Sequence, residues 1–437
     1  MQRLKVSKNK RFLCLKDGSP FFWQADTGWE MFHNFSLEDA REYFEIRKKQ
    51  EFNVVQAVIL AEFDGLDKPN FYGRRPLLKN SEGQYDPTMP DLDGEYSYFD
   101  HVDALIKMAK EYGIYIALLP TWGDKWNLEW GIGPEIFNPD NAYTYGKFVG
   151  ERYKDYDNIV WIMGGDRAVK TEEHSLILRN MAKGIKDGGA TQIMTLHPMG
   201  GHSSTEFVND EDWLDFNMIQ SGHGERITKS DIMITHDYNT LPIRPALDGE
   251  PNYEDHPVAF SHIENGFFDD TDVRRASYYA VFSGSLGITY GHHSVWPMRS
   301  KSNPMDFSTL GKPYYHLNNT FDALDRPGAN QIKHLKNLML SRSFFDRVPY
   351  NQVIAQPLEG SMRQCATKGE KYILVYCTFG LPCKLDLTEV NSFTASWYNV
   401  KNGETTAIGH FDGGKVMEFK PLVQGRNEDC VLIIDMD

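Results

Sequence analysis

From residue 21 to residue 291 the chain alternates eight times between an apolar, strand-like run and a helical segment, and few architectures accept that rhythm. The runs occupy 21–26, 53–60, 114–120, 158–163, 192–197, 216–220, 244–250 and 287–291. Ser36 precedes Leu37, Glu38 and Asp39 as a helix cap with acids in the first turn. Val102, Leu105, Ile106, Ala109 and Tyr112 follow helical spacing, and Gly113 can take the left-handed turn that ends such a helix. Asn138 and Pro139 open another helix, with proline at its first position. Further helices run through Ile177 and Ile185 and over 271–285. Strands joined by helices lie parallel, so eight repeats predict a (β/α)8 TIM barrel of the α/β class. A doubly wound sheet is the rival, but no strand runs into a glycine-rich phosphate loop. No longer self-similarity marks a solenoid or propeller. After Phe345 the pattern changes to short strands at 371–377, 395–398, 416–419 and 430–434, with turns at 401–403 and 412–414. The expected organisation is a barrel over 1–345 and a C-terminal all-β sandwich over 346–437.

Charge narrows the partners. Lys and Arg number 46 against 61 Asp and Glu, a net charge of −15, which disfavours phosphate backbones and anionic membrane surfaces. No stretch approaches the ~20 apolar residues of a membrane span. Neither nucleic acid nor membrane is expected as a partner, and the oligomeric state stays open. The N-terminus carries no apolar signal core. Five cysteines form no CxxC pair and read as buried free thiols. His197, His202, His223, His292 and His293 are numerous, but no HExxH-type ligand pair occurs, so hydroxyl-binding histidines are expected rather than a metal, and no organic cofactor is implied.

A barrel of this kind keeps its chemistry at the C-terminal ends of its strands. Those ends read Asp26 to Trp29; Trp122, Asp124 and Trp126; Gly165, Asp166 and Arg167; His197; His223; Asp248, Glu250, Tyr253 and Glu254; and His292, His293 and Trp296. Acids, histidines and tryptophans at most strand ends suit cleavage of a glycosidic bond, which needs two carboxyl groups flanking it. Asp166 after the fourth strand and Glu250 after the seventh are the candidate pair, with Glu254 and Glu264 as rival acids. A helix cap or an ion pair with Arg167 is the competing reading of Asp166. Asp26, Trp122, Asp124, His197, His223, Tyr253, His292 and Trp296 are expected to line the pocket, with one or two of Trp122, Trp126, Trp130 and Trp296 acting as sugar platforms. Trp23 and Trp161 lie inside strands and read as core. The Gly/Pro/Tyr-rich excursion from residue 61 to 98 is too long to be idle.

Six segments in this order resemble one family: ADTGWEMFH at 25–33, PTWGDKWN at 120–127, IVWIMGGDR at 159–167, LDGEPNYE at 247–254, DVRRASYYAVFSGSLGITYGHHSVW at 272–296 and SWYNVKNGE at 396–404. They are similar to the apiosidase-like glycoside hydrolases, glycoside hydrolase family 140, whose members join a barrel of the "domain of unknown function 4038" type to a C-terminal domain named for collagen binding. The resemblance implies an enzyme of plant cell-wall breakdown that removes apiose-linked side chains from rhamnogalacturonan-II, a pectin, with an oligosaccharide or polysaccharide as substrate. It implies Asp166 as general acid/base and Glu250 as nucleophile. It also implies a periplasmic, cell-surface or secreted setting with the signal peptide missing from this chain, a cytoplasmic one being the alternative. One departure matters: barrel glycosidases commonly carry Asn-Glu at the fourth strand, whereas this chain has Gly165-Asp166, a methylene shorter. Rival readings are a non-catalytic carbohydrate-binding barrel, a glycosidase of the same fold with another sugar specificity, and an adhesion role for the C-terminal domain. That domain is expected to be a structural partner of the barrel.

Overall fold

The computed structural model describes residues 1–303 and 316–437. Eight strands form the barrel: β1 (Trp23–Thr27), β2 (Val54–Leu60), β3 (Tyr115–Thr121), β4 (Ile159–Gly164), β5 (Met194–His197), β6 (Asn217–Ile219), β7 (Ala246–Asp248) and β8 (Gly287–Tyr290). Six of them make one parallel ladder in the order β5-β4-β3-β2-β1-β8, and β6 pairs with β7. Backbone hydrogen bonds close the two seams. Asp215 N–H donates to Met194 O (2.9 Å) between β5 and β6, and Leu286 N–H to Ala246 O (2.8 Å) between β7 and β8. Alternate residues of the strands, among them Trp23, Ala25, Val58, Ala117, Leu119, Ile162, Met218 and Leu247, fill the barrel interior as one cluster. Their neighbours Val55, Ala57, Ile59, Leu118, Trp161 and Met163 pack outward against the helices.

The helix signals are realised with small shifts. Ser36 and Asp39 form a capping box on Leu37–Lys49, and Asn138 and Asn141 one on Pro139–Tyr153. The third helix begins at Tyr98, capped by Ser97, and its last residue is Glu111. Two elements carry no local signature strong enough to read. A small sheet of Leu4–Val6, Leu13–Leu15 and Pro20–Phe21 plugs the N-terminal end of the barrel, where Phe21 meets Tyr115 edge to face at 5.2 Å. The helix Pro327–Leu340 completes the outer ring.

The C-terminal part is all β. An antiparallel six-stranded sheet runs in the order Val348–Pro349, Cys365–Lys368, Tyr372–Cys377, Cys430–Met436, Ser392–Asn399, Thr405–Asp412, and a second sheet pairs Cys383–Asp386 with Val416–Phe419. The runs YILVYC and CVLII read as continuously apolar because both faces of the large sheet are covered. Val375, Phe393, Leu432 and Ile434 face the small sheet through Leu385 and Phe419. Leu374, Tyr376, Val431 and Ile433 face the barrel helices Asp270–Phe282 and Pro327–Leu340 through Tyr278, Phe282, Leu335 and Leu338. Cys14, Cys365, Cys377 and Cys383 are buried free thiols, and Cys430 is a half-buried one.

Candidate active site

A cavity of about 960 Å³ opens at the C-terminal ends of the strands, at the upper end of the roughly 300–1,000 Å³ range of ligand sites. Asp166 and Glu250 both line it, with Trp122, His223, Tyr253 and Trp296. Two turns set the carboxyl groups there.

Glu250 follows β7 by two residues. Gly222 N–H donates to its backbone oxygen (2.9 Å), and Gly249 N–H to Ile219 O (2.8 Å), so the turn is tied to β6 and its loop. His223 Nε2 donates to Glu250 Oε1 (3.1 Å), and His197 Nε2 lies 3.0 Å from Oε2. His197 Nδ1 accepts from Asp166 N–H (3.3 Å), which leaves its proton on Nε2, facing Glu250. The rings of Trp29 (5.4 Å) and Trp122 (5.9 Å) hold the imidazole in place. Tyr253 accepts from Trp29 Nε1 (2.9 Å), with its hydroxyl beside Glu250 and Thr27. Burial works to raise the Glu250 carboxyl, but the two imidazoles overcome it and hold the group below the usual carboxylate range. Glu250 is therefore ionised.

Asp166 takes the opposite course. The chain leaves β4 through three consecutive residues of positive φ: Gly164 (+90°), Gly165 (+106°) and Asp166 (+54°). A β-carbon on Gly164 would stand 2.6 Å from His197 O, and one on Gly165 2.9 Å from Gly123 N, so neither position accepts a side chain. Aspartate tolerates the left-handed region better than glutamate does, which accounts for Gly-Asp where Asn-Glu is commoner. Burial raises the Asp166 carboxyl and the neighbouring Glu250 charge raises it further, to about 6, against the pull of His197 and Arg167. An acid and an ionised carboxylate thus share one cavity, the pairing that glycosidic cleavage requires.

Four residues expected at the pocket do not line it. Asp26 is one residue out of phase with the barrel interior. It points at the helix Leu37–Lys49, where Tyr43 (2.6 Å) and Arg47 (2.7 Å) donate to it. Asp124 is fully buried, accepting from Lys125 (2.8 Å) and from Gly133 N–H (2.9 Å), so it pins the loop beyond β3. His292 donates to Asp255 (3.1 Å), which also takes Arg326, and so braces the loops beyond β7 and β8. His197 does not line the cavity and acts on it through Glu250. Of the rival acids, Glu254 is buried, with its carboxyl on Tyr290 and on the Gly328 N–H at the start of Pro327–Leu340. Glu264 lies in the one-turn helix His262–Asn265, off the cavity. Trp126 is core, whereas Trp130 is on the cavity wall.

The cavity also holds residues that strand-end reading passed over. Glu62 stands two positions past β2, Gln220 ends the β6 run and hydrogen-bonds Asp166, and His256 and Phe260 join them; Trp29 and His293, read at strand ends but not as pocket residues, line it too. The first carboxyl after β2 was a usable signal for Glu62. His256 and Phe260, eight or more residues beyond β7, offered none.

Residues 7–346 match the family model described as "Apiosidase-like, catalytic domain", and residues 348–435 the one described as "Putative collagen-binding domain of a collagenase". A solved "Glycoside hydrolase" is similar over 100% of this chain and 97% of its own, at 33% identity and a TM-score of 0.86. A glycoside hydrolase family 5 structure from Bacteroides vulgatus is similar over 99% of this chain and 94% of its own, at 34% identity and a TM-score of 0.88. A maltogenic α-amylase of Thermotoga neapolitana shares the fold at 11% identity, with a TM-score of 0.54 over 95% of this chain and 99% of its own. Among curated proteins none matches.

Proposed function

The chain belongs to the apiosidase-like family of glycoside hydrolases, and from that premise we propose that it cleaves the apiose linkage of rhamnogalacturonan-II side chains, with Asp166 as general acid/base and Glu250 as nucleophile. One observation carries the assignment of roles: two carboxyl groups, from the ends of β4 and β7, meet in one cavity whose surroundings raise the pKa of Asp166 and lower that of Glu250. His197 and His223 keep Glu250 charged and aimed, so it can attack the anomeric carbon. Asp166 holds its proton until the glycosidic oxygen departs, then takes one from the incoming water. A plant cell-wall polymer is met outside the cytoplasm, so we place the enzyme in the periplasm, at the cell surface or beyond. We set the domain boundary between residues 345 and 346 and read the C-terminal domain as a brace for the barrel, because its large sheet is buried against barrel helices.

Asp166→Asn tests the roles. Turnover of the pectic side chain should fall by about 10²–10⁴-fold, while an aryl apioside, whose leaving group needs little protonation, is largely spared. Equal losses on both substrates would remove Asp166 from the acid role. A wild-type enzyme inert on both would remove the apiosidase reading.

A further inference from the structure

Beyond the two carboxyl groups of the reaction, the cavity wall carries a second set of groups gathered around Arg167. This arginine is fully buried, and its guanidinium holds Asp166, Trp130 and Glu62 at once. Nη1 donates to Asp166 O (2.7 Å) and lies 3.6 Å from Asp166 Oδ2, Nη2 donates to Trp130 O and lies 3.7 Å from Glu62 Oε1, and Cζ sits 4.0 Å over the Trp130 ring. Glu62 and Trp130 both line the cavity.

Each of the two has an unused binding face. Trp130 is 41% exposed, a large fraction for an indole, and Arg167 covers only one of its faces. The loop that carries it is not slack, since Asp124 ties down Gly133 and Arg167 ties down the Trp130 carbonyl. Glu62 has its backbone fixed, its N–H donating to the buried Glu30 (3.0 Å), yet among the described residues its carboxyl has only the long Arg167 contact. Burial and the surrounding carboxyls of Asp124, Asp166 and Glu30 push that group up to about 8. At neutral pH it is a neutral acid, able to donate as well as accept a hydrogen bond.

Position assigns the pair to one side of the scissile bond. A general acid stands beside the glycosidic oxygen, between the reacting sugar and the leaving sugar. Glu250 with its histidines holds the reacting-sugar side of Asp166. Arg167, Glu62 and Trp130 come from the loops beyond β4, β2 and β3, across the barrel mouth from β7. We propose that Glu62 and Trp130, both held on Arg167, form the subsite for the leaving sugar, Trp130 stacking on the apolar face of its ring and Glu62 donating a hydrogen bond to one of its hydroxyl groups. The proposal rests on Asp166 being the acid.

The test compares two substrates in the full-length enzyme: the apiose-linked pectic oligosaccharide, and apiosyl fluoride, whose one-atom leaving group reaches neither residue and needs little protonation. Glu62→Ala and Trp130→Ala should each lower kcat/KM on the oligosaccharide by about 10–100-fold, mainly through KM, and change it by less than about threefold on the fluoride. Glu62→Gln should restore most of the loss, because an amide N–H donates where the neutral acid did, and Trp130→Phe should restore part. Equal losses on both substrates would mean that the residues act on the reacting sugar or on folding, and no loss on either would mean that they touch no substrate. Either result overturns the subsite. Wild-type enzyme that turns over the fluoride but not the oligosaccharide would overturn the pectic substrate and the subsite with it, whereas one inert on both would overturn the apiosidase reading.

Discussion

Replacing Asp429 with asparagine removes one charge from a fully buried ion pair between the barrel and the C-terminal sheets. Arg274, on the barrel helix Asp270–Phe282, is fully buried and pairs with Asp429 through two bonds, Nη2 to Oδ1 (2.8 Å) and Nε to Oδ2 (3.1 Å). It also donates to Asp270 (2.7 Å), and Tyr376 adds a bond to Asp429 (2.9 Å). Removing one member of a buried pair strands the other charge and costs about 3–5 kcal/mol. Asp270 remains as a partial partner, so a loss of about 3 kcal/mol is expected. At about 2 °C per kcal/mol for a chain of this size, Tm should fall by about 6 °C in scanning calorimetry at pH 7. The pH dependence follows from the sign of the shift. Burial would raise the Asp429 carboxyl, but Arg274 and Tyr376 hold it below the usual range, so its stabilisation is present above the unfolded value of about 4 and fades as pH drops through the folded one. The Tm gap between wild type and variant should therefore narrow in acid. The pair Arg274→Met with Asp429→Leu should recover much of the loss, since no charge is left buried. A Tm change below about 1 °C at pH 7, or a gap that widens in acid, would refute this account.

Because Asp166 must be protonated in the resting enzyme and titrates at about 6, kcat/KM on the natural linkage should fall about tenfold per pH unit above that value, measured as a pH–rate profile. Substituting His223 with phenylalanine removes a hydrogen bond that keeps Glu250 ionised, so the acid limb of the same profile should move to higher pH. Alanine at Gly164 meets both a positive φ and the His197 carbonyl, and should lower kcat at least about tenfold by displacing Asp166, at a stability cost of about 1–3 kcal/mol in denaturant melts. Truncation after residue 345 uncovers Tyr278, Phe282, Leu335 and Leu338 and should give an aggregating barrel by light scattering, whereas the excised domain should show no collagen binding in a pull-down.

Local pattern determined a good deal here. Strand and helix periodicity depends on residues a few positions apart, and so does capping chemistry. The eight barrel strands, the caps at Ser36 and Asn138 and the change of rhythm after Phe345 were therefore legible without a structure. The rule that chemistry gathers at strand ends picked out Asp166, Glu250, His223 and Tyr253, all of which line the cavity. Where each side chain points past a strand end was not legible. Asp26 differs from the inward set by a single step of the pleat, and only the closed barrel tells its two faces apart. Asp124 and His292 carry the residue types of a sugar site but find partners among Lys125, Gly133 and Asp255, contacts settled by how loops fold back. Glu62 and Trp130 come from the loops beyond β2 and β3, and only Arg167, from the loop beyond β4, brings them together. Nor does the motif Gly164-Gly165-Asp166 announce its left-handed path, along which β5 and the loop beyond β3 leave no room for a β-carbon at either glycine. Sequence thus determined which elements form and roughly where the chemistry gathers. Tertiary structure decided which side chains share the cavity and in which protonation states, because burial and neighbouring charge exist only once distant segments meet.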